Sequence, residues 1–191
     1  MFLENFKFEL NFHRQQYVFY VMSGVVFLLF FLATTSPNVS IGGSGPNINL
    51  NAYMAVINSL GSVSFIAILV SIAFTANCVV RDYDYKTIEL FLSRPLSKGG
   101  FIYGRFLGSF VFGVLVYLAG LMGILIGELM PWLDPERLGP FSFTPYIYGT
   151  ILVGIPNLFI FASIFFCIAA VTRSLAYTYA AAVGLFMLNF L

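Results

Sequence analysis

The side chains that could do chemistry in this chain are few, and they are concentrated in one short segment. Eight of the seventeen charged residues lie within residues 81–105, in the sequence RDYDYKTIELFLSRPLSKGGFIYGR. The chain has one histidine, His13, so a metal site built on a pair of histidines is excluded. It contains no Gly-x-x-x-x-Gly-Lys-Ser/Thr loop, no His-Glu-x-x-His motif and no visible nucleophile–base pair. We therefore predict that residues 81–105 bind a partner or a surface, and that the chain has no catalytic residue, metal site or cofactor of its own.

Residues 81–105 contain the pattern of a short amphipathic helix. Its apolar face is formed by Tyr85, Ile88, Phe91 and Leu92. Asp82 and Asp84 lie at the N-terminal end of this helix and Arg94 lies at its C-terminal end, which matches the helix dipole. Pro95 ends the helix, because the residue before a proline avoids the helical region. Two interpretations stay open: the helix rests among lipid headgroups, or it docks on a cytoplasmic partner.

The composition decides which class of protein must position this segment. Hydrophobic residues make up 60% of the 191-residue chain, aromatic residues 18% and charged residues 9%, and the mean hydropathy is +0.93. A soluble domain carries about 25% charged residues. The same composition excludes a disordered chain, and the net charge of +1 excludes a nucleic-acid binder. The chain is therefore expected to be a polytopic membrane protein.

Long apolar runs locate the membrane spans, since a helix needs about 20 mostly apolar residues to cross a bilayer. Five runs meet this requirement, and they cover residues 17–35, 53–80, 106–126, 146–172 and 175–191. We predict an all-α polytopic helical bundle with these five spans. The last run is still apolar at Leu191, so we expect the chain to be the N-terminal part of a longer protein.

The basic residues predict the orientation of the bundle. Eight of the nine Lys/Arg residues share one side if residues 1–16, residues 81–105 and the turn at Arg173 lie together. Arg137 is then the ninth, on the other side. By the positive-inside rule the N-terminus is cytoplasmic. Cys78 and Cys167 would then lie near the cytoplasmic ends of their helices, where thiols stay reduced and pack as small apolar residues.

Residues 1–16 are predicted to form an amphipathic helix that leads into the first span. Phe2, Phe6 and Leu10 recur at helical spacing, although Phe8 and Phe12 also give the segment an alternating pattern. We expect the helix to lie at the membrane surface and to act mainly as an anchor.

Small polar residues form a stripe along the second span. Its members are Ser64, Ala67, Ser71 and Thr75, and Asn58 and Ser62 lie above them. Such stripes are typical of close helix–helix packing, and alternatively they line a substrate path. The spans contain no deep acid or base except Glu128, near the outer end of the third span, which counts against an ion-coupled transporter.

Glycines and one proline predict local packing within the spans. Gly104 with Gly108, and Gly123 with Gly127, fit the small-x-x-x-small pattern, for which helix packing is the default interpretation. Pro156 stands near the middle of the fourth span and predicts a kink there.

Three parts of the loop together resemble a known family. They are the charged pair Arg81-Asp82, residues 87–95 (TIELFLSRP), and Gly104-Arg105-Phe106. This arrangement between the second and third spans resembles the ABC-2 family of ATP-binding-cassette permeases. The resemblance implies a permease of an ATP-driven exporter in the cell (inner) membrane. It also implies a separate cytoplasmic ABC ATPase that binds ATP and Mg²⁺, and a second permease copy or half that completes a dimer.

The resemblance also assigns roles to individual residues. The helix in the loop would be a coupling helix, with ATPase contacts from Asp84, Tyr85, Thr87, Ile88, Glu89, Phe91, Leu92 and Arg94. Residues 1–16 would be the connecting helix, and a sixth span would follow Leu191. Spans two and five would line the translocation path, which would place Asn58, Ser64, Ser71 and Thr75 along it.

Two further segments resemble a narrower bacterial branch of these permeases. They are Ile41-Gly42-Gly43 and residues 130–141 (MPWLDPERLGPF). In that branch the permease is fused to a C-terminal M1-type zinc aminopeptidase domain. The alternative function implied is a membrane anchor for a peptidase-like domain beyond residue 191, with no catalytic residue inside this chain.

Overall fold

A computed structural model describes residues 2–36, 39, 49–85, 98–133 and 138–190, and in this part of the chain all regular structure is helical. The elements are α1 (Phe2–Arg14), α2 (Tyr17–Thr35), α3 (Tyr53–Asp84), α4 (Lys98–Glu128), α5 (Thr144–Gly149), a π-helical turn (Thr150–Gly154), α6 (Ile155–Thr172) and α7 (Leu175–Phe190).

In the described part of the chain, four helical stretches are long and apolar enough to cross a membrane. They are Tyr17–Thr35, Tyr53–Asp84, Gly99–Glu128 and Thr144–Thr172, and a shorter apolar helix covers Leu175–Met187. The predicted all-α polytopic class is confirmed. Large apolar side chains such as Val21, Leu28 and Leu32 are exposed along α2. In a membrane protein such a face contacts lipid.

The helices extend further than the charge-free runs that were used to predict the spans. The second predicted span ends at residue 80, but α3 continues through Arg81 and Asp82 to Asp84. The third was predicted to begin at residue 106, but α4 begins at Lys98 and already contains Arg105. A charge therefore does not end these helices, because its ion-pair partners lie within the fold.

The chain divides into two compact units. Unit 1 contains Met1–Tyr17, Ile68–Gly113 and Phe159–Leu191, and unit 2 contains Val18–Ala67 and Val114–Leu158.

Aromatic side chains hold the helices of unit 1 together. Phe106 of α4 packs edge-on against Phe159 and Phe166 of α6, with ring centroids 5.6 and 5.3 Å apart. Phe161 of α6 stacks on Phe186 of α7 at 5.9 Å. These contacts join α4, α6 and α7 through rings, which suits an interior that has few polar groups to pair.

Unit 2 is packed through glycines of α4. A Cβ on Gly123 would lie 2.5 Å from the carbonyl oxygen of Phe27, and one on Gly127 would lie 2.9 Å from Cβ of Thr34. Both partners belong to α2. This small-x-x-x-small pair therefore has the packing role that the sequence predicts, because only glycine lets the two backbones approach so closely.

The structure places a π-helical turn immediately before Pro156. The backbone N–H of Ile155 donates to the carbonyl oxygen of Thr150, five residues earlier. A wider turn at this point accommodates a proline, which cannot donate to the carbonyl four residues before it. The kink at Pro156 stays a prediction.

Candidate functional site: a buried ionic cluster

Five ionisable side chains meet in unit 1, and we refer to them as the ionic cluster. They are Glu9 and His13 of α1, Arg81 and Asp82 of α3, and Arg105 of α4. Glu9 and His13 are four residues apart on α1 and therefore face the same side of that helix. Arg81 and Asp82 occupy the last turn of α3, and Arg105 lies in the second or third turn of α4. The cluster thus joins three helices.

Glu9 lies at the centre of the cluster. Its Oε1 accepts a hydrogen bond from Nη2 of Arg81 at 2.6 Å and lies 3.6 Å from Nη1 of Arg105. Arg105 also forms an ion pair with Asp82, and its Nη1 donates to the carbonyl oxygen of Cys78 at 2.9 Å. The side chain of Glu9 is fully buried, and that of Arg105 is 6% exposed. One carboxylate oxygen of Glu9 therefore interacts with guanidinium groups from both α3 and α4.

Helix α1 packs closely against α4 at Gly104 and Gly108. A Cβ on Gly104 would lie 2.9 Å from the carbonyl oxygen of Phe2, and one on Gly108 would lie 2.7 Å from Cβ of Glu9. This second small-x-x-x-small pair also packs helices, and its partner is the N-terminal helix. Close backbone approach brings the short Glu9 side chain within reach of both arginines.

His13 occupies an aromatic pocket beside Glu9. Its ring centroid lies 5.4 Å from that of Phe74 and 5.2 Å from that of Phe112. Burial lowers the pKa of His13 to about 4. The contact between Nδ1 and Oε1 of Gln16, at 3.2 Å, acts in the opposite direction but is the weaker effect. His13 is therefore neutral at pH 7. Its Nε2 lies 3.4 Å from Oε2 of Glu9, but neither atom has a hydrogen bond of acceptable geometry.

The cluster contains equal numbers of carboxyl and guanidinium groups. Burial raises the pKa of Glu9, and the nearby charges of Arg81 and Arg105 oppose this shift. Two carboxyl groups, those of Glu9 and Asp82, lie among two arginines, with His13 neutral. Buried groups that pair with one another in this way can fix the arrangement of the helices that carry them.

Tyr83, which follows Asp82 on α3, contacts the turn between α6 and α7. Arg173 lies in the turn between α6 and α7, has a φ of 52°, and places its guanidinium 4.6 Å from the ring centroid of Tyr83. Three successive residues of α3 therefore contact three elements. Arg81 contacts α1, Asp82 contacts α4, and Tyr83 contacts the α6–α7 turn.

Only the first two residues predicted to contact an ATPase lie in the described part of the chain. Asp84 ends α3 and is exposed, and Tyr85 follows it with 74% of its surface exposed. The other predicted contacts lie outside the described residues, namely Thr87, Ile88, Glu89, Phe91, Leu92 and Arg94.

The predicted translocation stripe is mostly buried. Thr75 donates to the carbonyl oxygen of Ser71 at 2.9 Å, and Ser71 donates to that of Ile68 at 2.8 Å. Ser64 is buried without a hydrogen-bond partner, whereas Asn58 is exposed. Hydroxyls bonded to their own helix suit the packing interpretation in this conformation. The role in a path stays a prediction.

The C-terminal end of α4 has a separate polar contact in unit 2. The hydroxyl of Tyr146 donates to Oε2 of Glu128 at 2.5 Å, and both residues are buried. Asn51 and Gly139 exchange two hydrogen bonds of 2.7 Å. The acid found in the sequence near the outer end of the third span is therefore held by a tyrosine donor.

Sequence reasoning missed Glu9 as a member of a site. The alternating phenylalanines of residues 6–12 obscured the buried face of α1, which includes Glu9 and His13. The available signal was the pair Arg81 and Arg105, since basic residues inside long helices need acidic partners.

Cysteine and metal chemistry do not add a second site. Cys78 and Cys167 are free thiols, and Cys78 is buried whereas Cys167 is exposed, so the expected burial holds for Cys78 alone. Among residues 2–36, 39, 49–85, 98–133 and 138–190, no group of three acids, histidines or cysteines could hold a metal ion.

The fold defines an α-helical, multi-pass membrane protein, and the ionic cluster lies where α1, α3 and α4 meet. The model of the family described as ABC-2 family transporter protein matches residues 6–191. The chain belongs to this family, and it is the membrane permease component of an ABC transporter and not itself catalytic. Searches of curated proteins and of solved structures found no significant match.

Proposed function

We propose that this permease works in an ATP-driven exporter of the inner cell membrane. A separate cytoplasmic ABC ATPase would bind ATP and Mg²⁺ and dock on the segment of residues 81–105, through the predicted contacts between Asp84 and Arg94. A second permease copy or half would complete the translocation path. Family membership supports the transporter class, and the location of the ionic cluster supports the role of the segment.

The observation that carries the proposal is the fixation of both ends of this segment. Arg81 and Asp82 begin this segment, at the end of α3, and Arg105 ends it, inside α4. All three belong to the ionic cluster. A segment that only rested on lipid would not require such anchoring. Anchored ends suit a segment that is pushed by a partner, because ion-pair networks and rigid helices can carry movement from one site to another.

Glu89 provides the test, since its charge separates a protein partner from a lipid surface. The anionic cytoplasmic leaflet disfavours an acid near its surface, whereas a basic groove on a protein can form charge-assisted hydrogen bonds with it. The full-length protein would be extracted in mild detergent, and the bound ABC ATPase and its ATP hydrolysis would be measured. We expect Glu89→Lys to release the ATPase or abolish its stimulation while the permease still inserts.

Glu4→Lys is the matched control, because it reverses an exposed acid of α1 on the side predicted to be cytoplasmic. We expect this variant to retain the ATPase. Full retention and full stimulation in Glu89→Lys would contradict the docking role. On a lipid surface, the same reversal would be harmless or would slightly tighten membrane association.

A second candidate function rests on the resemblance of residues 130–141 to the peptidase-fused branch. Under it, the chain anchors an M1-type aminopeptidase domain that follows residue 191. The sequence after Leu191 tests this directly, because an active domain requires a His-Glu-x-x-His motif and a further acidic zinc ligand. Aminopeptidase activity of the full-length protein that survives loss of the ATPase would favour the anchor.

A further inference from the structure

The strongest unexplained feature is that one buried carboxylate joins both ends of the predicted docking segment. Oε1 of Glu9 lies 2.6 Å from Arg81 on α3 and 3.6 Å from Arg105 on α4. Glu9 belongs to neither helix. The carboxylate therefore connects the helix that enters residues 86–97 with the helix that leaves them.

Burial makes this connection hard to stretch. If the ends of α3 and α4 moved apart, Glu9 would lose one of its two arginines, and a buried guanidinium would be left with less compensation. Removing one partner of a buried ion pair is strongly destabilising, because the other charge remains desolvated. The ends of α1, α3 and α4 are therefore expected to move together.

Helices α1 and α4 are packed too tightly at Gly104 and Gly108 to move independently. The space for a Cβ at Gly104 and at Gly108 is already filled by atoms of Phe2, Asn5 and Glu9. A packed core shifts between discrete arrangements and does not deform continuously. A displacement of the docking segment is thus delivered to the three helices as one body.

We propose that Glu9 is a positioning residue for coupling, which rests on the proposed function above. It is neither one of the residues predicted to contact the ATPase nor one of those predicted to line the path. Its role is to hold the ends of α3 and α4 together, so that a push on the segment moves both helices. Each of these helices has residues in both units, so the movement is measured through the residues of unit 2.

Hydrogen–deuterium exchange of the full-length permease bound to its ABC ATPase tests this proposal. Exchange would be compared without nucleotide and with ATP, Mg²⁺ and vanadate, for unit 2 peptides covering residues 49–67 and 138–158. In the wild type we expect the trapped nucleotide to change deuterium uptake in these peptides. In Glu9→Gln we expect the ATPase to stay bound and hydrolyse ATP, with the change in unit 2 lost.

Two controls separate positioning from general damage. Glu4→Gln removes an exposed acid from the same helix and should keep the full nucleotide-dependent change. Glu9→Asp keeps the charge and should restore part of the change, which a purely steric role for Glu9 would not predict. A Glu9→Gln complex whose change in unit 2 equals that of the wild type would overturn the proposal.

A second variant covers the case in which Glu9→Gln fails to fold. Gly104→Ala pushes α1 away from α4 while all charges stay in place, and Gly99→Ala, whose nearest side-chain contact is 4.0 Å from the added Cβ, is its control. Loss of the change in Gly104→Ala alone supports the proposal, and retention overturns it. Failure of the proposed function looks different, because the wild type itself would then bind no ATPase or show no nucleotide-dependent change.

Discussion

Glu9 of α1 and Arg81 of α3 are 72 residues apart in sequence and 2.6 Å apart in space. This hydrogen-bonded ion pair is nearly dry, with the Glu9 side chain fully buried and that of Arg81 11% exposed. The guanidinium of Arg81 also lies 3.8 Å from the ring centroid of Phe12 on the same helix as Glu9. The N-terminal helix is therefore an integral part of unit 1 and not only a surface anchor.

Loss of the Glu9 carboxylate should destabilise the permease. Glu9→Ala leaves Arg81 and Arg105 with excess buried positive charge, and breaking a buried pair in this way costs about 3–5 kcal/mol. Thermal unfolding in detergent would be followed with a thiol-reactive dye that reports exposure of the buried Cys78, in a background where the exposed Cys167 is serine. Glu4→Ala is the control, and an equal melting temperature for both variants would contradict the prediction.

Acid should destabilise the protein through His13. Its pKa is about 4 in the folded chain against 6.5 in the unfolded chain, so the unfolded state binds more protons between these values. The stabilisation is complete above pH 6.5 and is lost as the pH falls to about 4, with a limit of roughly 3 kcal/mol. His13→Phe fills the same aromatic pocket and should lose less stability over this range.

The neighbouring Glu9 acts with the opposite sign, because its raised pKa makes protonation at lower pH favour the folded state. Both proteins in the comparison keep Glu9, so the difference between their melting curves reports His13. Identical pH profiles for the wild type and His13→Phe would refute the assignment.

Two glycines of unit 2 should respond oppositely to the same substitution. Gly123→Ala places a Cβ 2.5 Å from the carbonyl oxygen of Phe27, so α2 and α4 must separate, at a cost of about 1–3 kcal/mol. Gly24→Ala has no atom within 4 Å of the new Cβ and should be neutral or slightly stabilising. Melting temperatures of the two variants in detergent check the difference, and similar losses would show that packing at Gly123 is not the cause.

Thiol labelling in intact cells checks the orientation. With Cys78 and Cys167 replaced by serine, a cysteine at Ser142 should react with an impermeant reagent, and a cysteine at Tyr85 should react only after the membrane is permeabilised. Both positions are exposed in the fold, so access to the reagent is decided by the side of the membrane. The reverse pattern would reject a cytoplasmic N-terminus.

The sequence by itself determined the membrane class, the approximate spans and the family resemblance of residues 81–105. These properties are sums over neighbouring residues, since hydropathy and charge counts need no knowledge of which helices touch. The match of the ABC-2 family model to residues 6–191 confirms the resemblance. For example, the first predicted span, residues 17–35, coincides with helix α2.

Tertiary structure alone decided which residues pair. The glycine pairs were visible as packing motifs, but their partners on α1 and α2 were not, because a small residue permits close approach without specifying what approaches. The pairing of Glu9 with Arg81 and Arg105 depends on the seat of α1 against α4. In the sequence, Glu9 is one acid in a short amphipathic tail. Only burial, which removes water as an alternative partner, makes its contacts with two arginines strong enough to join three helices.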